Sequence, residues 1–162
     1  MQNFKHTAAC RALAYTAPMT SNRAFVWPVR VYWEDTDAGG VVYYANYLKF
    51  FERARTEWLR ALGVEQQRTA EQQGLLFVVS SAQLRYLASA RLDDALLVSA
   101  TPQRLGGASI DLLQEVRRGD AEQSAAFADL PLLTTLQVRV ACVSAEGMRP
   151  ARLPQQLLER LG

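Results

Sequence analysis

The chain has 162 residues, enough for one domain with a single hydrophobic core and too few for two full-size ones. A hydrophobic share of 49% against 21% charged residues argues against disordered, collagen-like and membrane-spanning classes. Eighteen Lys and Arg against sixteen Asp and Glu leave a formal charge of +2, and because the basic residues are scattered singly, nucleic acid is not the expected partner.

Residues 1 to 24 show no sustained periodicity and read as a disordered N-terminal tail, with the folded domain spanning 25 to 162. Arg11 splits the only stretch resembling a signal-peptide core, and Met19 is a candidate translation start. His6, the single histidine, falls in this tail, which argues against chemistry that needs an imidazole. Cys10 and Cys142 form no C-x-x-C, so neither a zinc cluster nor a disulfide framework is expected, and a cytoplasmic location fits.

From Phe25 to Glu34 the chain reads as a strand, Val29, Val31 and Trp33 facing the core and Pro28 marking an edge. Asp35-Thr36-Asp37-Ala38-Gly39-Gly40 then breaks the pattern. From about Tyr44 to Leu62 the apolar residues Tyr47, Phe50, Phe51, Ala54, Trp58 and Leu62 recur at steps of three and four. That spacing predicts an amphipathic helix of about five turns, stopped by Gly63. A polar helix is expected within Val64 to Gln73, and strands over Leu75–Ala88, Ala95–Leu105, Ala108–Arg118 and Leu132–Ser144. Gly106-Gly107 makes a hairpin of the middle pair, residues 119 to 130 form a polar loop with some helical character, and Gln155 to Leu161 is a short amphipathic tail. One long helix on a five-stranded antiparallel sheet, an α+β fold, packs these elements most economically. Such a sheet leaves edges uncovered, so a homo-oligomer is expected.

Glu34, Asp35 and Asp37 crowd three carboxylates into four positions before two glycines. Turn chemistry alone accounts for many such clusters, since Asp bonds its own backbone. Here Gly39 and Gly40 also let the backbone approach a ligand closely, and the following helix has no Ser, Thr or Asp in its first turn to occupy free N–H groups. A carboxylate beside such donors suits acyl transfer: the donors hold a developing oxyanion while the carboxylate attacks or activates water.

Residues 29 to 60 (VRVYWEDTDAGGVVYYANYLKFFERARTEWLR), 86 to 94 (YLASARLDD) and 148 to 154 (MRPARLP) resemble the acyl-CoA thioesterases of the hotdog fold, in particular the Tol-Pal-associated group of the 4-hydroxybenzoyl-CoA thioesterase family. The resemblance implies a long helix wrapped by a five-stranded antiparallel sheet, assembled as a homodimer or homotetramer. It implies an acyl-CoA, or an acyl carrier protein, as substrate, and no metal or redox cofactor. Carried over residue by residue, it implies Asp37 as the catalytic carboxylate, acting as nucleophile or general base, and the Tyr44 backbone N–H as the carbonyl activator. Many members of the group carry His at the position of Tyr44, whereas hydroxybenzoyl-type enzymes carry Tyr; a backbone donor survives either side chain.

For the coenzyme A phosphates, Arg104, Arg149 and Arg152 are the candidates by position and by their fork-like donors. Tyr47 is a candidate pocket residue, whereas Phe50, Phe51 and Trp58 are expected in the core and Cys142 reads as a buried small hydrophobe. A dehydratase on the same fold would need an active-site histidine outside the tail, which this sequence lacks. The remaining alternative is a weakly active acyl-carrier or envelope-associated adaptor.

Overall fold

The computed structural model describes residues 24–161, so the expected tail, with His6, Cys10 and Met19, lies almost wholly outside the described residues. Its elements are β1 (Phe25–Arg30), a 3-10 turn (Trp33–Asp35), α1 (Asn46–Ala61), α2 (Gln66–Gln73), β2 (Leu75–Tyr86), β3 (Ala95–Leu105), β4 (Ser109–Arg118), a second 3-10 stretch (Ala121–Asp129), β5 (Leu132–Ser144) and α3 (Gln155–Leu161). The strands form one antiparallel sheet in the order β1-β3-β4-β5-β2. This is the hotdog arrangement, with α1 against the sheet.

Helix α1 buries Tyr47, Phe50, Phe51, Ala54, Trp58 and Leu59, a stripe at helical spacing. Each large aromatic removed from water there contributes on the order of 2–3 kcal/mol. Opposite them lie Leu96, Val98 and Ala100 of β3, Ile110, Leu112 and Val116 of β4, and Leu136, Val138 and Val140 of β5. In β4 the alternation follows the pleat, whereas β3 is buried continuously from Leu96 to Ala100, and Cys142 closes the same core. Pro28 sits on the edge strand β1, as its missing donor requires.

Around the link between β1 and α1 two boundaries differ from the expectation. Strand β1 ends at Arg30 because Asp35 takes over the Tyr32 N–H, its carboxylate accepting at 2.9 Å, and the chain turns into the 3-10 segment. Trp33, expected to face the core, is therefore 78% exposed. Helix α1 begins at Asn46 rather than Tyr44, preceded by a turn in which the Asn46 N–H donates to Tyr43 O at 2.8 Å. The 119–130 loop has the helical character expected of it, as a 3-10 stretch capped by Asp120, whose Oδ1 accepts from the Glu122 and Gln123 N–H groups. Among the described residues no helix is long and apolar enough to cross a membrane.

Candidate active site

The link between β1 and α1 is a miniature hairpin. Thr36 and Val42 bridge its arms, the Asp37 N–H donates to Val41 O at 3.0 Å, and the Gly40 N–H donates to Asp37 O at 3.0 Å. Gly40 sits at φ +71°, a conformation that costs an L-residue strain. Gly39 has a different reason: a Cβ there would stand 3.0 Å from the Asp37 Oδ1. Without it, the Gly39 N–H donates to that oxygen at 2.8 Å.

Both sides of this hairpin are tied down. The Tyr43 N–H donates to Asp35 O at 2.8 Å, and the Val42 N–H donates to Ala90 O at 2.8 Å. The Asn46 side chain, buried at the start of α1, donates through Nδ2 to Asp35 O at 3.0 Å and to Glu34 O at 3.4 Å. The 87–94 loop that carries Ala90 is held in turn by Arg118, which donates to Ser89 O at 2.8 Å and pairs with Asp94.

Within this frame the two aspartates separate. Asp35 is 3% exposed, with one oxygen committed to the Tyr32 N–H. Asp37 is exposed at the hairpin tip, and its Oδ2 accepts from no group among the described residues. Next to the hairpin, α1 has no side-chain cap. Neither the Tyr44 nor the Ala45 N–H finds an acceptor among the described residues, so the helix start presents free donors, as the missing Ser, Thr or Asp implies. The Tyr44 ring is 61% exposed and meets Tyr43 and Tyr86, with ring centroids 4.6 and 6.5 Å away.

The other candidates lie elsewhere. Tyr47 is 2% exposed, and its Oη accepts the Ala90 N–H at 2.8 Å, so it belongs to the core and braces the segment beside the hairpin. Burial holds its phenol above the ordinary tyrosine range, partly offset by the Ala90 N–H. Arg104, Arg149 and Arg152 are exposed at the far end of the sheet. There the Leu153 N–H donates to Gly107 O at 3.0 Å, joining the exit segment to the β3–β4 turn. The hairpin is anchored beside the start of β3, through Val31 to Asp94 O and Val42 to Ala90 O, whereas Arg104 lies near the far end of that strand, a run of about 30 Å at ~3.3 Å per residue. A single chain does not bring these arginines to Asp37.

Two structurally important residues escaped the sequence reading. Asn46 is four residues before Phe50 and eight before Ala54, and a polar side chain on an apolar stripe signals a buried hydrogen bond. Tyr86 ends β2, and its hydroxyl donates to Tyr44 O at 2.8 Å across 42 residues of sequence, for which no local pattern exists.

Comparison with known proteins agrees with the fold. The family model described as "Thioesterase superfamily" matches residues 39–125. The acyl-CoA thioesterase YbgC of Haemophilus influenzae is 43% identical over 136 residues, covering 84% of this chain and 93% of that protein. The acyl-CoA thioester hydrolase YbgC of Escherichia coli O157:H7 is 41% identical, covering 83% and 92%. A probable thioesterase from Bartonella henselae superposes with TM-score 0.68 at 34% identity, covering 82% of this chain and all (100%) of that one. A 4-hydroxybenzoyl-CoA thioesterase variant bound to 4-hydroxybenzoyl-CoA superposes with TM-score 0.76 at 18% identity, covering 86% and 99%, a likeness of fold alone. On the sequence match over most of its length and on the hotdog architecture, this chain belongs to the thioesterase superfamily.

Proposed function

We propose that the protein hydrolyses acyl-CoA thioesters to a free acid and coenzyme A, with Asp37 as its catalytic carboxylate. The observation that carries this reading is the exposed Asp37 carboxylate, with Oδ2 unengaged, on a braced hairpin leading into an uncapped helix start. The matched relatives named as acyl-CoA thioesterases supply the substrate class.

The thioester carbonyl sits against the Tyr44 N–H, which stabilises the negative charge that develops on its oxygen. Asp37 then works by one of two routes. As nucleophile, its Oδ2 bonds to the acyl carbon, the C–S bond breaks, coenzyme A leaves as a thiolate, and water opens the resulting anhydride. As general base, it takes a proton from water while the hydroxide portion adds to the same carbon, and collapse again expels the thiolate. Gly39 and Gly40 let the substrate approach the backbone. Arg104, Arg149 and Arg152 serve the coenzyme A phosphates from a second copy of the chain, since within one copy they lie too far from Asp37. A homodimer or homotetramer is therefore part of this reading. The scarcity of cysteine accords with a reducing cytoplasm.

Thiol release from short, medium, long and aromatic acyl-CoAs, comparing wild type with Asp37→Asn at equal folded concentration, tests the proposal. Turnover that disappears in the variant supports it. If neither protein turns over any acyl-CoA, the reading fails, and acyl carrier protein substrates or an adaptor role take its place.

A further inference from the structure

The trans peptide is a rigid plane in which C=O and N–H point in opposite directions, so whatever holds a carbonyl also aims the N–H of the next residue. Two consecutive planes at the start of α1 are held in this way. The carbonyl of Tyr43 accepts the Asn46 N–H at 2.8 Å, which aims the N–H of Tyr44. The carbonyl of Tyr44 accepts the Tyr86 hydroxyl at 2.8 Å, which aims the N–H of Ala45. Both of these N–H groups are free among the described residues. The first restraint is local, a single turn of backbone. The second comes from the last residue of β2, on the opposite edge of the sheet from β1.

We propose that Tyr86 is a positioning residue for thioester hydrolysis: its hydroxyl locks the Tyr44–Ala45 peptide so that the Ala45 N–H joins the Tyr44 N–H as a second donor to the thioester oxygen. The inference rests on the thioesterase reading above and deepens it. Two further observations and one general property of amides favour it. Tyr86 makes ring contacts with Tyr44 and Tyr47, at 6.5 and 5.7 Å between centroids, so the phenol is held against the turn. Burial raises its ionisation above the usual tyrosine range, with smaller contributions from Tyr44 and Tyr47, so the hydroxyl keeps the proton it donates. A hydrogen bond accepted by a carbonyl also polarises the same amide, making its N–H a better donor. The ring is 47% exposed, so removing the hydroxyl alone leaves the core intact.

The test is Tyr86→Phe, which deletes one oxygen and keeps the ring. Losing an oxyanion donor outright costs about 10²–10³ in kcat, and here the donor is loosened rather than removed, so a fall of roughly tenfold is expected. KM is expected to stay within about twofold, because the interaction strengthens in the transition state. Kinetics are taken well below the melting temperature of both proteins. A second readout separates positioning from structure: the carbonyl stretch of a carbon-13-labelled benzoyl-CoA bound to Asp37→Asn, with and without Tyr86→Phe. The band is expected to move to higher wavenumber in the double variant as polarisation is lost. Wild-type kcat in Tyr86→Phe, or an unmoved carbonyl band, overturns the role of Tyr86 while the Asp37 comparison still stands. Absence of turnover in the wild type overturns the thioesterase reading itself, and this role with it.

Discussion

Tyr47→Phe removes one oxygen from a side chain that is 2% exposed and leaves the fully buried Ala90 N–H without its acceptor. An unsatisfied buried donor costs about 1–3 kcal/mol, and the ring that supplies most of the residue's apolar burial is unchanged. For a domain of this size each kcal/mol moves the melting temperature by roughly 3–5 °C, so a drop of about 3–15 °C is expected. The urea midpoint should fall with it at constant slope, since the surface exposed on unfolding is the same. The Val42 N–H to Ala90 O bond is untouched, so the hairpin keeps its anchor and kcat should change by less than about twofold. Thermal and urea unfolding followed by circular dichroism, beside acyl-CoA kinetics, measure both quantities. A loss of stability below about 1 kcal/mol together with a large rise in KM would place Tyr47 at the substrate and refute its assignment to the core.

Gly39→Ala and Gly40→Ala should separate activity from stability. The first brings a methyl to 3.0 Å from the Asp37 Oδ1 and is expected to lower kcat about tenfold or more by displacing the carboxylate; the second meets no atom within 4 Å but sits at φ +71° and should cost about 1–2 kcal/mol in urea unfolding. At alkaline pH the buried Tyr47 phenol, raised by desolvation above its reference value of 10.0, holds its proton after the unfolded chain has released its own. Its contribution is complete below pH 10, where both states are protonated, and is lost as pH rises from there through the folded value, so the stability advantage of wild type over Tyr47→Phe should narrow in urea midpoints measured across that range. Cys142 is fully buried and its thiol is pushed up by desolvation, so site-resolved mass spectrometry should find it unlabelled by iodoacetamide in the native protein and labelled in urea.

The parts of the fold that were legible in the sequence are those written in local periodicity. Tyr47, Phe50, Phe51, Ala54 and Trp58 announce α1 and its buried face together, and the glycine pair at 106 and 107 announces the β3–β4 hairpin. The misreadings arise where a tertiary bond overrides the pattern. Trp33 continues a perfect alternation, yet the Asp35 carboxylate captures the Tyr32 N–H and turns the chain before Trp33 can reach the core. Tyr47 occupies the place of a pocket residue in one dimension, but its phenol is claimed by Ala90, 43 residues away. At the site, D-x-D followed by two glycines was readable because turn chemistry is local. The donor from Tyr86 and the clamp from Asn46 depend on β2 and α1 meeting the hairpin in space, which no short motif encodes.

If Asp37 is the reacting carboxylate proposed above, the contrast between Asp35 and Asp37 is how the hairpin reconciles two demands. A reacting carboxylate must change partners during the reaction, and each intramolecular bond it makes in the resting protein lowers its starting energy and raises the barrier. A loosely placed one, however, forfeits the advantage of orientation. Here rigidity is assigned to the backbone and to the neighbour. Asp35 is buried and bonded, its carbonyl receiving both the Tyr43 N–H and the Asn46 amide, while Val42 is pinned to Ala90. Asp37, between these anchors, makes one side-chain bond, to the Gly39 N–H, through the oxygen that the missing Cβ leaves room for. Its other oxygen is held in direction by the first and is free to bond to carbon or to accept a proton from water. Fixing Oδ1 orients Oδ2 without occupying it, and under the proposed mechanism this is how Gly39 and Asp35 bear on the chemistry.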